Sequence, residues 1–204
     1  IDNNVFNSDL IHKDINIGNS VAIISNNKIF HHRKENQACA DGIWSFDSVN
    51  LIWQNYLTQI GDDGLDIKNS FSLISKNLID TSWDEGMDIE KGEAFVLDNI
   101  ILNSNKSGIL IDRSKKAILV NNSIRNVKTK GGITLRNGSI VVGERNTLES
   151  NNIGLLLEES IPFCLSEKEF FEVLSKFKRD FQEVIKFPGW IKPISREQLV
   201  DLLQ

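Results

Sequence analysis

Short apolar pieces alternate with polar residues along this chain, and a glycine interrupts them at a nearly constant interval. Gly64-Leu65-Asp66-Ile67 is followed after 22 residues by Gly86-Met87-Asp88-Ile89, and after 22 more by Gly108-Ile109-Leu110-Ile111. Gly132-Ile133-Thr134-Leu135 comes 24 residues later and Gly154-Leu155-Leu156-Leu157 another 22, while Gly42-Ile43-Trp44-Ser45 lies 22 before Gly64. A second marker runs in step: Asn55, Asn77, Asn99 and Asn121 each lie 13 residues after their glycine. Apolar pieces flank it, Leu51-Ile52, Leu73-Ile74 and Phe95-Val96 before and Leu57, Ile79 and Ile101 after. An alternation of period two puts Leu65 and Ile67 on one face and Asp66 on the other. Each unit therefore reads as two or three short strands with no helix.

A unit of this length cannot bury an apolar face alone, but stacked units bury theirs against one another. Leucine-rich repeats have similar periods, yet their Leu-x-x-Leu-x-Leu pattern fits poorly. A coil of three short strands fits better, each strand pairing in parallel with its equivalent in the next coil about 4.8 Å away. Residues 15–29 carry a weaker coil, in which Ile15, Ile17, Val21, Ile23 and Ile29 alternate with polar residues and Asn26-Asn27 stands at the asparagine position. Residues 30–38 break the spacing and read as a loop inserted between coils, the kind of segment that forms binding walls on a rigid scaffold.

Six in-phase glycines and four in-phase asparagines resemble the right-handed parallel β-helix proteins of the pectin-lyase-like superfamily, over roughly residues 14–160. Gly-Leu-Asp-Ile and Gly-Met-Asp-Ile are similar to its degenerate repeats, and the asparagines to its asparagine ladders. The resemblance implies an all-β solenoid, a right-handed parallel β-helix of about 22-residue coils. It also implies a lean toward polysaccharide chemistry, in a superfamily that holds lyases, hydrolases, epimerases and structural domains. Asp62-Asp63 resembles the Asp-Asp pair of polygalacturonase-like members. Their Gly-His-Gly motif has no counterpart, since the histidines are His12, His31 and His32. Pectate-lyase-like members use calcium-binding acids with an arginine or lysine base. Arg113 and Arg136 are the outward candidates for that base, one to three coils from the acids. No complete catalytic set is present.

After Pro162 the period changes. Ser166 and Glu169 have the spacing of a capping box, and Phe170, Val173, Leu174, Phe177, Phe181 and Val184 recur at helical spacing. The pattern predicts a helix over about 167–186, ended by Pro188-Gly189, and a shorter one over 195–203. The expected organisation is a solenoid over residues 1–165 and a C-terminal helical cap or packing segment over 166–204. Such a segment suits the open end of a solenoid, where a core and unpaired strand edges need cover.

Composition then narrows the partners. The chain of 204 residues carries 23 Lys and Arg against 28 Asp and Glu, a formal charge of −5, so no positive field favours nucleic acid. Residues 166–204 hold seven bases and seven acids, so the excess negative charge belongs to the solenoid. Two cysteines exclude a disulfide-dense scaffold, and no apolar run approaches the ~18 residues of a membrane span. The start at Ile1, without a signal peptide, suggests missing N-terminal coils or a partner domain. Asn-x-Ser sequons at Asn105, Asn121 and Asn137 point weakly to an extracellular or cell-surface setting.

Stacking converts sequence positions into stripes, and the acids collect in three successive coils as Asp41, Asp62, Asp63, Asp66, Asp84, Glu85 and Asp88. Residues 41–88 contain nine acids and only Lys68 and Lys76. Carboxylates about 5 Å apart repel, which raises a pKa or attracts a cation. Both outcomes suit function. A carboxyl pair at that separation matches a glycosidase, and an oxygen-rich cluster matches calcium. The candidate catalytic residues are Asp62, Asp63, Asp66, Asp84 and Asp88. Trp44, Phe46, Trp83, Lys68 and Arg113 are the candidate sugar-binding residues, and Asp63 and Glu85 the candidate calcium ligands. Acids before a glycine also stabilise turns through their own side chains. Two functions follow: a polysaccharide hydrolase or lyase, and a noncatalytic module for glycan or protein binding, adhesion or scaffolding.

Overall fold

The computed structural model describes residues 1–8, 14–31, 40–114 and 116–160. These form 20 short strands in three parallel sheets. One coil shows the plan. Leu65–Lys68 lies in the first sheet, Phe71–Ser75 in the second and Leu78–Ser82 in the third, and a longer turn through residues 83–86 leads to the next coil. The equivalent strands of that coil are Met87–Glu90, Glu93–Leu97 and Ile100–Leu102, paired as Leu65 with Met87, Leu73 with Phe95 and Ile79 with Ile101. The chain is thus a parallel β-helix, with its core inside the coil.

Local chemistry explains the corners. Asn69 and Lys76, which follow the first and second strands of this coil, take positive φ of 48° and 55°. One left-handed residue turns the chain sharply, and Asn or Asp tolerates that geometry better than most residues. Asp47, Asn137, Asn26, Asp98 and Asn121 repeat it in other coils. This use of corners accounts for part of the asparagine excess. Inside, Leu65, Ile67, Ile74 and Ile79 are buried, and their equivalents join them in one continuous core. Burying each such side chain stabilises the fold by about 1.5–3 kcal/mol. The second sheet is apolar on both faces: Leu51, Leu73 and Phe95, on its outward rows, are buried as well as the inward Ile52, Ile74 and Val96.

The asparagine ladder is present with one change of member. Asn27, Asn55, Asn77 and Asn99 each donate a backbone N–H to the side-chain oxygen of the next rung, at 3.0, 2.9, 2.9 and 3.1 Å. The rung after Asn99 is Asn122, which donates in turn to Asn146 at 3.0 Å; Asn121 is instead a corner residue with φ 54°. The register explains the shift. Glu90 pairs with Asp112, 22 residues on, whereas Glu93 pairs with Lys116, 23 on, so one residue is inserted at that corner. Phe30 and His31 also differ from the expectation of a loop, because both extend the strand Lys28–His31. The rest of the expected loop, residues 32–38, lies outside the described residues.

The chain divides into two units, Ile1–Phe163 and Cys164–Gln204. The solenoid is the first. The expected boundary at residue 165, the helical cap over 166–204 and both cysteines lie outside the described residues.

The repeated glycine answers a need for space. A Cβ on Gly64 would sit 2.5 Å from the Gly86 carbonyl oxygen, and one on Gly86 would sit 2.6 Å from the Gly108 oxygen and 2.5 Å from Ile101 Cγ2. Gly86→Ala should destabilise the protein by about 1–3 kcal/mol in urea denaturation. Gly143→Ala, whose Cβ meets nothing closer than 3.4 Å, should stay within about 0.5 kcal/mol of the parent.

Candidate functional site

The long turn between the third and first sheets and the first strand after it build an acidic corner. Backbone hydrogen bonds stack the turn coil on coil: Asp62 N–H donates to the Ala40 carbonyl at 3.1 Å, Asp84 to Asp62 at 3.1 Å and Lys106 to Asp84 at 3.1 Å. Asp41, Asp63 and Glu85 precede successive glycines and are buried. Asp63 Oδ1 accepts the Glu85 N–H at 2.8 Å, so this carboxylate also helps to fix the next coil. On the outward face of the first sheet Trp44 pairs in register with Asp66, and Asp66 with Asp88. The adjacent row runs Phe46, Lys68, Glu90.

Two sets of carboxylates converge. One oxygen each from Asp41, Asp63 and Asp66 lie within 4.8 Å of one another, all three residues being buried, and so do oxygens of Asp62, Asp63 and Asp84. Clustered acids able to coordinate a metal ion are therefore present. Two ammonium groups reach them. Lys68 Nζ lies 3.0 Å from Asp66, and Lys106 Nζ lies 2.5 Å from Asp84. Asp88 Oδ1 is buried and takes no hydrogen bond from the described residues.

Burial and like charge shift these acids in one direction. Asp62 is raised to about 6, first by burial and then by the charges of Asp41 and Asp84. Asp88 is raised to about 7 by burial and by Asp66, against the opposing pull of Lys68. Asp63 and Glu85 are also raised, burial again being the main cause, with Glu85 acting on Asp63 and Asp84 on Glu85. Removing water penalises each carboxylate anion, and a neighbouring anion adds to the penalty.

Of the residues singled out from the sequence, the fold gathers Asp62, Asp63, Asp66, Asp84, Glu85, Asp88 and Lys68 at this corner. Trp44 and Phe46 stand beside them in the preceding coil, with ring centroids 4.6 Å apart and planes tilted by 38°. The Phe46 ring lies over Gly18, where a Cβ would meet it at 2.2 Å. Trp83, next to Asp84 in the turn, is 54% exposed. Arg113 is not brought to the acids. It follows the strand Ile109–Asp112 at the opposite end from the turn and pairs with Glu90 at 2.6 Å and Asp112 at 3.1 Å. Glu85 belongs to neither three-carboxylate set among the described residues. Asp41 does belong to one, and Lys106 serves as counter-ion of Asp84. Both were legible as members of glycine-linked columns, Asp41 one residue before its glycine and Lys106 two before.

Residues 13–161 match the family described as right-handed β-helix region, and the chain belongs to that family. The match gives the hand of the coil and is consistent with the pectin-lyase-like superfamily. No curated protein and no solved structure matched the chain.

These shifts set the pH dependence of stability without added metal. In the folded protein Asp62 and Asp88 hold protons up to about pH 6 and about pH 7, whereas their ordinary value is 3.8. The native state therefore binds more protons than the unfolded chain across that window, and stability falls as pH rises through it. Thermal melts in chelator should give a higher Tm near pH 5 than near pH 7.5. Equal values would contradict the burial of unpaired carboxylates.

Proposed function

We propose that the chain is a glycan-binding β-helix module whose acidic corner holds calcium between Asp41, Asp63 and Asp66. The observation that carries this reading is the convergence of three buried carboxylates within 4.8 Å, with Lys68 beside one of them. Calcium takes oxygen ligands at about 2.3–2.6 Å, so ligands on opposite sides of the ion are about 5 Å apart. That span matches the set. Such an ion would offset the mutual repulsion of these acids and the burial that raises the pKa of Asp63. Its remaining positions would take water or the oxygens of a sugar. Trp44, in register beside Asp66, supplies apolar area against which a sugar ring can lie.

Several features favour binding over cleavage. A glycosidase needs a protonated acid and a free carboxylate facing the same bond. Here Asp63 is engaged with the Glu85 N–H, Lys68 and Lys106 accompany Asp66 and Asp84, and Arg113 is occupied at the far end of its strand. A site that loads at the calcium levels outside cells, about 10⁻⁴–10⁻³ M, fits an extracellular or cell-surface module.

Asp63→Asn gives a clean test, because its amide oxygen still accepts the Glu85 N–H while the charge is lost. Calcium at about 100 times its Kd should stabilise the parent by about 2.7 kcal/mol, and the variant should show little shift. The parent should be retained on acidic or neutral polysaccharide with calcium, releasing neither reducing ends nor unsaturated products. The absence of a calcium shift in the parent would remove the cation site. Turnover that disappears in Asp63→Asn would replace the binding reading with the catalytic one.

A further inference from the structure

Asn137-Gly138 is the one Asn-Gly step in this asparagine-rich chain. Such a step is prone to lose the side-chain amide, because glycine has no Cβ to keep its backbone nitrogen away from the preceding side-chain carbonyl. The Gly138 nitrogen, once deprotonated, bonds to Asn137 Cγ and ammonia leaves. The resulting succinimide takes up water and opens to aspartate or isoaspartate. In the fold the step turns the corner after the strand Gly131–Arg136, with φ 55° at Asn137 and 74° at Gly138, and both residues are exposed. Both reacting groups are nevertheless held. Gly138 N–H donates to the Glu159 carbonyl at 2.9 Å, and Asn137 N–H to the Glu158 carbonyl at 3.0 Å. The Asn137 amide donates to Asp112 Oδ1 at 2.7 Å. A bound N–H gives up its proton less readily, and an anchored amide cannot turn its carbon toward the nitrogen.

The carbonyls that hold this backbone belong to the strand Ile153–Glu158 and the residue after it, at the edge of the first sheet among the described residues. Leu155 and Leu157 are in register with the buried Ile133 and Leu135 but are 47% and 42% exposed. A strand with so little buried apolar contact opens at lower cost than the core. From these observations we propose that Asn137-Gly138 is a latent deamidation site which this edge strand keeps closed, so that opening of the strand is recorded as a permanent negative charge beside Asp112. Asp112 is buried, and its other oxygen accepts from Arg113 at 3.1 Å and Arg136 at 3.2 Å. Deamidation removes the donor from Oδ1 and sets a second carboxylate against it, a loss of one buried hydrogen bond with like-charge repulsion added. The isoaspartate product also lengthens the backbone by one atom at a corner whose two N–H groups must meet Glu158 and Glu159. Either product makes reclosure weaker. The proposal goes beyond the glycan-binding reading and does not depend on it, since this corner lies at the opposite end of the first sheet's strands from the acidic turn.

Peptide-level mass spectrometry of the full chain, aged in mildly alkaline buffer with chelator, tests the proposal. In concentrated urea Asn137 should convert ahead of the other asparagines, and in the folded protein at least about tenfold more slowly. Hydrogen exchange should find the Gly138 amide opening ahead of the amides of the strand Phe71–Ser75, as a local event requires. Leu155→Ala, a change at a half-exposed side chain of the edge strand, should speed both Gly138 exchange and Asn137 conversion several-fold in the folded protein. Asn137→Asp, which supplies the product charge directly, should lower the melting temperature by several degrees. Equal conversion in folded and unfolded protein, a Gly138 amide that exchanges only with the core, or an Asn137→Asp variant that melts with the parent would each overturn the proposal.

Discussion

Among the described residues, successive coils are held together by a ladder of asparagines that is buried from Asn27 to Asn122. The Asn77 side-chain oxygen accepts the Asn55 backbone N–H at 2.9 Å and its side-chain amide at 3.0 Å, while the Asn77 amide donates to the Ile52 carbonyl at 3.0 Å. Asn99 repeats the arrangement one coil on, donating to Ile74 at 3.0 Å. A buried polar group left without such partners would cost about 1–3 kcal/mol, so each rung tolerates little displacement from the one beneath. With the rungs fixed, the three parallel sheets share one register, and the residue 22 positions later in sequence becomes the residue directly above in space.

That register gives the acidic corner its character. Strand pairing and turn hydrogen bonds bring Asp41, Asp63 and Asp66 together whether or not their charges favour it. The repulsion is a cost that the apolar core and the ladder offset. The fold responds in three ways: burial raises Asp62 and Asp88 toward neutral pH, Asp63 takes a backbone N–H, and Lys68 and Lys106 supply positive charge.

Much of the fold was legible in the sequence because its causes are periodic. A glycine is required wherever the next coil's carbonyl passes within about 3 Å, as at Gly64 and Gly86, so the glycine period reports the coil directly. The ladder was legible until an insertion altered the count: Asn121 keeps the distance from Gly108, but the extra corner residue hands the rung to Asn122. The acidic stripe was legible for the same reason as the glycines. What sequence spacing could not give was the reach of individual side chains. The column spacing does not show that an Asp41 oxygen meets Asp63 and Asp66 or that the Lys106 ammonium meets Asp84, nor that Arg113, a sequence candidate for sugar binding, lies between Glu90 and Asp112. The predicted helices follow the solenoid, outside the described residues.

The coil register buries carboxylates so close together that Asp62, Asp63, Glu85 and Asp88 hold protons above the ordinary carboxylate range, and the proposed calcium would displace the proton of Asp63. Calorimetric titration with calcium in two buffers of different ionisation enthalpy measures that displacement directly. Near pH 6.5 the parent should release protons as calcium binds, because Asp63, raised by burial and by the charge of Glu85, gives up its proton to the ion, and Asp63→Asn should release none from this position. Calcium binding with the same heat in both buffers at pH 6.5, and thus without proton release, would contradict the account.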